Sequence, residues 1–204
     1  TSCKTAKQEG KKSERMAQID NNLKQQLAKP QTWFCKYFPK RIRNVSEKEI
    51  ADRQMVYDFK DGRSFEAVAQ MTATSMKEQY GEKCSGIVFV PVPASTNEKN
   101  ELRYKAFCKR VCELTGAING FDHVKVAGGR LAIHENRKLE KEIRKVNIIT
   151  FDEKWFCDKT IVTFDDVITR GITWATYSDQ LEQLGAHVIG GIFLAKTHYK
   201  VNEQ

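Results

Sequence analysis

The 204-residue sequence contains no run of about 18 consecutive apolar residues, so no segment reads as a membrane span. No secretory signal pattern opens it, and the cytoplasm is the expected location. Its six cysteines (Cys3, Cys35, Cys84, Cys108, Cys112, Cys157) include no CxxC pair and have no His-rich companion segment. Neither a zinc ribbon nor a disulfide scaffold is therefore expected, and reduced thiols are. Cys108 and Cys112 share a helix face and read as small core residues rather than half a metal site. Internal repeats and low-complexity linkers are also missing. With 40% apolar residues, the chain has enough to bury one core.

Acids are scarce in one place only. Residues 1–45 hold 11 Lys and Arg against Glu9, Glu14 and Asp20, which leaves 23 of each sign in the remainder. The positive charge thus belongs to the N-terminal stretch, not to the rest. The expectation is a basic arm over 1–45, solvated and partly disordered, ahead of a domain at 46–204. Such an arm can track the phosphates of a nucleic acid. Its aromatics (Trp33, Phe34, Tyr37, Phe38), however, cluster at its end instead of interleaving with the charges.

Beyond the arm, helical and extended patterns alternate. The spacing of Ile50, Met55, Val56 and Phe59 predicts a helix over 46–60, with Ser46 and Glu49 as a capping box. A second helix is predicted over 65–80, capped by Ser64 and stopped by Gly81. GIVFVPVP (86–93) is an apolar, β-branched run that reads as a buried strand cut off by its prolines. A third helix fits 101–115, with Tyr104, Phe107, Cys108, Val111 and Leu114 on one face and Gly116 as its stop. A strand follows at 122–126, then a charged loop at 128–147. A strand at 160–164, a helix from about Thr173 to Leu184 and a strand at 187–195 complete the pattern. Strands alternating with helices imply an α/β fold: a mainly parallel twisted sheet covered by helices on both faces.

The densest chemistry lies in IVTFDDVITRGITW (161–174). Ile161 to Phe164 read as a strand, so Asp165 and Asp166 emerge at its carboxyl end, where open α/β sheets hold their ligands. Thr169 to Thr173 form the turn before a helix and expose backbone N–H groups, with two hydroxyls beside them. Acids a few ångströms from a phosphate cradle suit a ribose 5-phosphate.

DDVITRGIT resembles the phosphoribosyl pyrophosphate (PRPP) motif of type I phosphoribosyltransferases. That resemblance implies ribose recognition by Asp165 and Asp166, and 5-phosphate binding by Thr169, Arg170, Gly171, Ile172 and Thr173. Arg170 stands where many members carry Thr; amidophosphoribosyltransferases often carry Arg. FVPVPAST (89–96) is similar to the strand and loop that face pyrophosphate in this family, which makes Ser95 and Thr96 candidate donors. Amidophosphoribosyltransferases and ComF-like proteins share such VPVP strings. YDFKDG (57–62) and the Arg144 to Asn147 stretch also resemble ComF segments, so the likeness covers about residues 50–197. Many ComF proteins carry a cysteine zinc module that this sequence lacks. Adjacent acids occur in receiver domains too, but near the first strand. Haloacid-dehalogenase-type phosphatases want a second Asp where Val167 stands.

The implied activity is transfer of ribose 5-phosphate from PRPP to a nucleobase or amine, with pyrophosphate leaving. Mg²⁺ would be held on PRPP and reach Asp165 and Asp166 only indirectly. The 128–147 loop offers Arg130, His134, Arg137 and Lys138 as lid cations, or is simply a solvated surface. Lys196 to Tyr199 are candidates for the acceptor pocket, and the family suggests a homodimer. The alternative is a regulatory, non-catalytic use of the fold, sensing PRPP or a nucleotide or associated with DNA.

Overall fold

The computed structural model describes residues 20–126 and 149–199. Five parallel strands form one sheet in the order β1-β7-β6-β2-β3: β1 (Gln31–Tyr37), β2 (Ile87–Pro91), β3 (Ile118–Asn119), β6 (Thr160–Ile168) and β7 (His187–Thr197). β4 (Val124–Val126) and β5 (Ile149–Phe151) pair separately as an antiparallel ladder. The expected 122–126 strand therefore exists in shortened form but stands apart from the main sheet.

Helices cover both faces. α2 (Glu47–Lys60), α3 (Phe65–Tyr80) and the long α4 (97–115) pack on one side, where Phe59, Met76, Phe107, Phe89 and Phe164 share a buried cluster. α6 (Ile172–Gln183) and the short α1 (20–27) pack on the other, where Leu23, Trp174, Tyr177 and Leu181 meet Val88, Val90 and Ile161. A single turn, α5 (Glu153–Phe156), contributes Phe156 to this second cluster. β2 is buried along its whole length, as its unbroken apolar run requires in a sheet covered twice. No helix among the described residues is long and apolar enough to cross a membrane.

Local signals explain most element ends. At α2, Ser46 Oγ accepts from Glu49 N–H (3.3 Å) while Glu49 Oε2 accepts from Ser46 N–H (2.8 Å), a complete capping box. Gly116 closes α4 in the left-handed region at φ 75°, a conformation glycine adopts without a Cβ clash. Two expectations give way here. Ser64 precedes α3 at φ 56° and makes no side-chain cap, and Ile50 is exposed instead of facing the core.

The largest correction concerns residues 20–45. Charge assigns them to a solvated arm, yet β1 pairs with β7 from Gln31↔Gly191 to Tyr37↔Thr197, and Cys35 and Phe38 are buried. Leu23 packs under α6, and Lys29 forms an ion pair with Glu182. An edge strand has one solvated side, so it tolerates lysines and rings that obscure its alternation. The sheet thus takes in residues ahead of position 46; residues 1–19 lie outside the described ones.

β6 is also longer than expected. Its pairing with β2 ends at Pro91↔Phe164, but β7 continues beside it to Ile168↔Lys196. Asp165 and Asp166 therefore remain in extended backbone, bonded on one side and open on the other.

Candidate functional site

Chain direction sets the location. From β2 the chain passes through α4 outward to β3, and from β6 through α6 outward to β7 on the opposite side. The order reverses between β2 and β6, and the crevice at the carboxyl ends of such a pair is where open parallel sheets hold ligands. Both candidate motifs leave the sheet there: the VPVPAST loop after β2, and Asp165 to Thr173 at the end of β6. Val92 N–H donates to Phe164 O at 2.7 Å, which keeps the two exits side by side.

The two acids face different neighbours. Asp165 lines a pocket of about 150 Å³ together with Val167 and Thr169–Trp174. Asp166 is 6% exposed and turns toward the α2 and α4 side, where Arg103 Nη1 lies 2.5 Å and Lys60 Nζ 3.5 Å from its carboxylate oxygens. Arg103 Nε also donates to Lys60 O at 3.3 Å, so one guanidinium ties the end of α2 to Asp166. Asp165 Oδ1 accepts from Asp166 N–H (2.8 Å) and from the Tyr104 hydroxyl (3.5 Å).

Burial, and then the charge of Asp166, push the Asp165 carboxyl up to about 8. Tyr104 is raised well above the usual phenol value by burial and then by Asp166 and Asp165, so it stays a hydroxyl donor.

Arg103, Tyr104 and Lys60 were not among the sequence candidates. Arg103 and Tyr104 lie in Glu101–Lys105, a π-helical stretch between Asn97–Asn100 and Ala106–Thr115. Such wider turns inside a helix recur at functional sites, and this one brings adjacent side chains onto adjacent acids. Nothing in the local composition announces it.

The turn after β6 has the form expected of an anion cradle. Gly171 precedes α6 at φ 77°, and an added Cβ would stand 2.7 Å from Leu27 Cδ2. The first N–H to find a helical partner is that of Ala175, bonded to Gly171 O at 2.8 Å. The N–H groups of Ile172, Thr173 and Trp174 precede it, the usual unpaired donors of a first turn, and all three residues line the pocket. Thr169 and Arg170 are exposed at the rim, and Thr169 Oγ1 bonds Thr197 Oγ1 at 2.8 Å, tying the loop to the end of β7. Beneath it, Trp174 Nε1 donates to Thr163 Oγ1 (2.7 Å), which anchors α6 on β6.

Around the β2 exit, Ser95 and Thr96 are exposed. Thr96 caps α4, its Oγ1 accepting from Lys99 N–H at 3.3 Å. Asn100, buried and also missed in the sequence, accepts from Ala94 N–H at 2.9 Å and holds the loop against α4. Arg130, His134, Arg137, Lys138 and the Arg144 to Asn147 stretch lie outside the described residues. Of the acceptor-pocket candidates, Lys196 stacks over Trp33 and Tyr199 lies under Arg41.

A Mg²⁺ fit can be judged from the donors. Among the described residues no three His, Cys, Asp or Glu side chains gather as a metal cage. Magnesium commonly takes only one or two carboxylates and completes its shell with phosphate oxygens and water, so Asp165 at the pocket, once ionised, would suit it.

No protein-family model matches the chain, and no curated protein matches it at a significant level.

Proposed function

We propose that the chain binds PRPP at the carboxyl ends of β2 and β6 and transfers its ribose 5-phosphate to a nucleobase or amine. One observation carries the reading: the Asp165 carboxyl shares a small pocket with the first-turn residues of a helix, at the point where strand order reverses. The 5-phosphate occupies the Thr169 to Thr173 cradle, where backbone N–H groups and the start of α6 meet its charge. Asp165 accepts from a ring hydroxyl, and Asp166, clamped by Arg103 and Lys60, fixes the strand end from which Asp165 projects. Ser95 and Thr96 stand on the neighbouring exit to meet pyrophosphate.

The acceptor nitrogen's lone pair forms the bond to ribose C1 as the bond from C1 to pyrophosphate oxygen breaks, its electrons leaving with pyrophosphate, and a nitrogen that bore a proton then releases it to solvent. Bound Mg²⁺ supplies neutralisation of that leaving group. No covalent nucleophile is required; the chain's residues orient the sugar and hold its charge.

Titration calorimetry with PRPP, with and without Mg²⁺, and a pyrophosphate-release assay over bases and amines test the reading. The expected result is Mg²⁺-dependent binding, with release for one acceptor, and weakened at least about tenfold in Asp165→Asn when assayed above pH 8, where the carboxyl is ionised and its hydrogen bond to the sugar is charge-assisted. Binding without release supports the regulatory alternative. PRPP affinity unchanged in the Asp165→Asn, Asp166→Asn double variant sinks the site assignment.

A further inference from the structure

Beside the crevice, the β1 edge and the end of β7 carry a feature that the proposed PRPP contacts do not include. Two aromatic residues are among the exposed large hydrophobics, Trp33 (40%) and Tyr199 (51%), and each lies under a cation. Lys196 Nζ sits 4.0 Å from the Trp33 ring centre, and the Arg41 guanidinium 5.4 Å from that of Tyr199. On α2, Lys40 Nζ stands 5.6 Å over Tyr57, whose ring meets Tyr37 edge-on. Lys36 and Lys196 are register partners on adjacent strands. Rings and cations are thus paired at three places, on the β1 edge, on α2 and beyond the end of β7, which together make a basic aromatic strip.

The strip's charge is unbalanced. Residues 21–46 contain no Asp or Glu. Among the described residues, none of Lys36, Lys40, Arg41, Arg43 and Lys196 makes an ion pair with a carboxylate. His198, stacked near Phe38, reports the same field: its pKa is lowered by burial and then by Lys36 and Lys196, with Glu49 opposing. A polyanion with flat faces matches both properties. Charge alone suits any acidic partner, but exposed rings set beside cations suit unstacked bases.

We infer that this strip binds single-stranded nucleic acid, its cations on the phosphates and Trp33 and Tyr199 stacking on bases. The mode reads no base edge, so it carries little sequence preference. It differs from an unstructured basic arm, which would supply charge without a stacking platform and would not favour single strands over duplex.

Fluorescence anisotropy of the full chain with a labelled oligothymidylate of about 12 nucleotides, a length matching common single-strand sites, tests this. The single strand should bind more tightly than a duplex of equal length. Trp33→Ala should weaken it about tenfold, the loss of one stacked base. Lys40→Gln with Arg41→Gln should flatten the slope of log affinity against log salt by about 1.4, or about 0.7 per phosphate contact. Trp33 is exposed, so the variant should lose no more than about 4 °C in Tm and keep its PRPP titration, which separates this outcome from misfolding. Equal affinity for duplex, for polyglutamate of matching charge or for anionic vesicles would overturn the inference. So would unchanged single-strand affinity in Trp33→Ala.

Discussion

The middle of the sheet and its β1 edge handle charge in opposite ways. At β6, Asp166 is answered inside the protein by Arg103 and Lys60, and Asp165 keeps a proton to a pH well above the usual carboxylate range. At β1 and the segments after β1 and β7, lysines and arginines lie over aromatic rings, and among the described residues no carboxylate pairs with them. The first region is electrostatically closed before any ligand arrives, so its partners are prearranged and a substitution there disturbs the fold. The second has no carboxylate partner among the described residues, which leaves its charges available to a partner of opposite sign. Catalytic sites gain from the first arrangement because oriented groups need no reorganisation during reaction, while steering of a long polyanion gains from the second.

The sharpest way to break the comparison is Arg103→Met. Its side chain is 14% exposed and Asp166's 8%, so the substitution leaves a buried carboxylate with Lys60 alone, itself 38% exposed. Loss of one partner from a buried pair costs about 3–5 kcal/mol, and Lys60 should hold the loss to about 3. Urea unfolding at pH 7 measures it. A loss under about 1 kcal/mol, the range of exposed pairs, would mean that water reaches Asp166 and that the middle of the sheet is not closed.

A second effect, read as a slope against pH instead of a loss at one pH, belongs to Asp165→Asn. In the fold the carboxyl titrates at about 8, against about 3.9 in an unfolded chain. Between those values the native state holds a proton that the unfolded chain has released, so wild-type stability falls as pH rises and levels off above about 8. Asn carries no such proton. The stability difference, variant minus wild type, should therefore grow across that window in the variant's favour and then become constant. Unfolding curves at pH 5, 7 and 9 read the trend, and a difference independent of pH would show that Asp165 is solvated like an ordinary surface acid.

The contrast also explains what the sequence disclosed. β2, β6 and the turn at Gly171 were legible because each depends on contiguous residues: an unbroken apolar run, a pair of acids, a glycine before a helix. α2 was legible for the same reason, its capping box spanning four positions. Arg103 and Lys60 were not, since each is an ordinary charged residue on its own helix and only the packing of α2 and α4 against β6 brings them to Asp166. The π-helical stretch that aims Arg103 has no compositional mark. β1 was hidden by its own surface, because QTWFCKY spends its alternation on an edge with one solvated side, and the surrounding charge run spoke louder. The extension of β6 through its acids was hidden too. Asp is disfavoured in strands, and only the continued presence of β7 makes extended backbone the better bonded state there.

The smallest expected effect is the one that most sharpens the comparison. Trp33 is 40% exposed, and its ring is covered on one side by the Lys196 stem and ammonium. Trp33→Ala removes apolar contact that is already half wet and a cation–π contact worth about 0.5–1 kcal/mol at an exposed site. The β1 to β7 backbone ladder does not depend on the side chain. Stability should consequently fall by no more than about 1 kcal/mol, close to the range of ordinary surface substitutions. A loss of several kcal/mol would make Trp33 a structural anchor of β1, and its exposure would then need no ligand to explain it. A small loss together with weakened oligothymidylate binding would leave Trp33 with a role that the fold itself does not demand, which is the signature of a surface shaped for a partner.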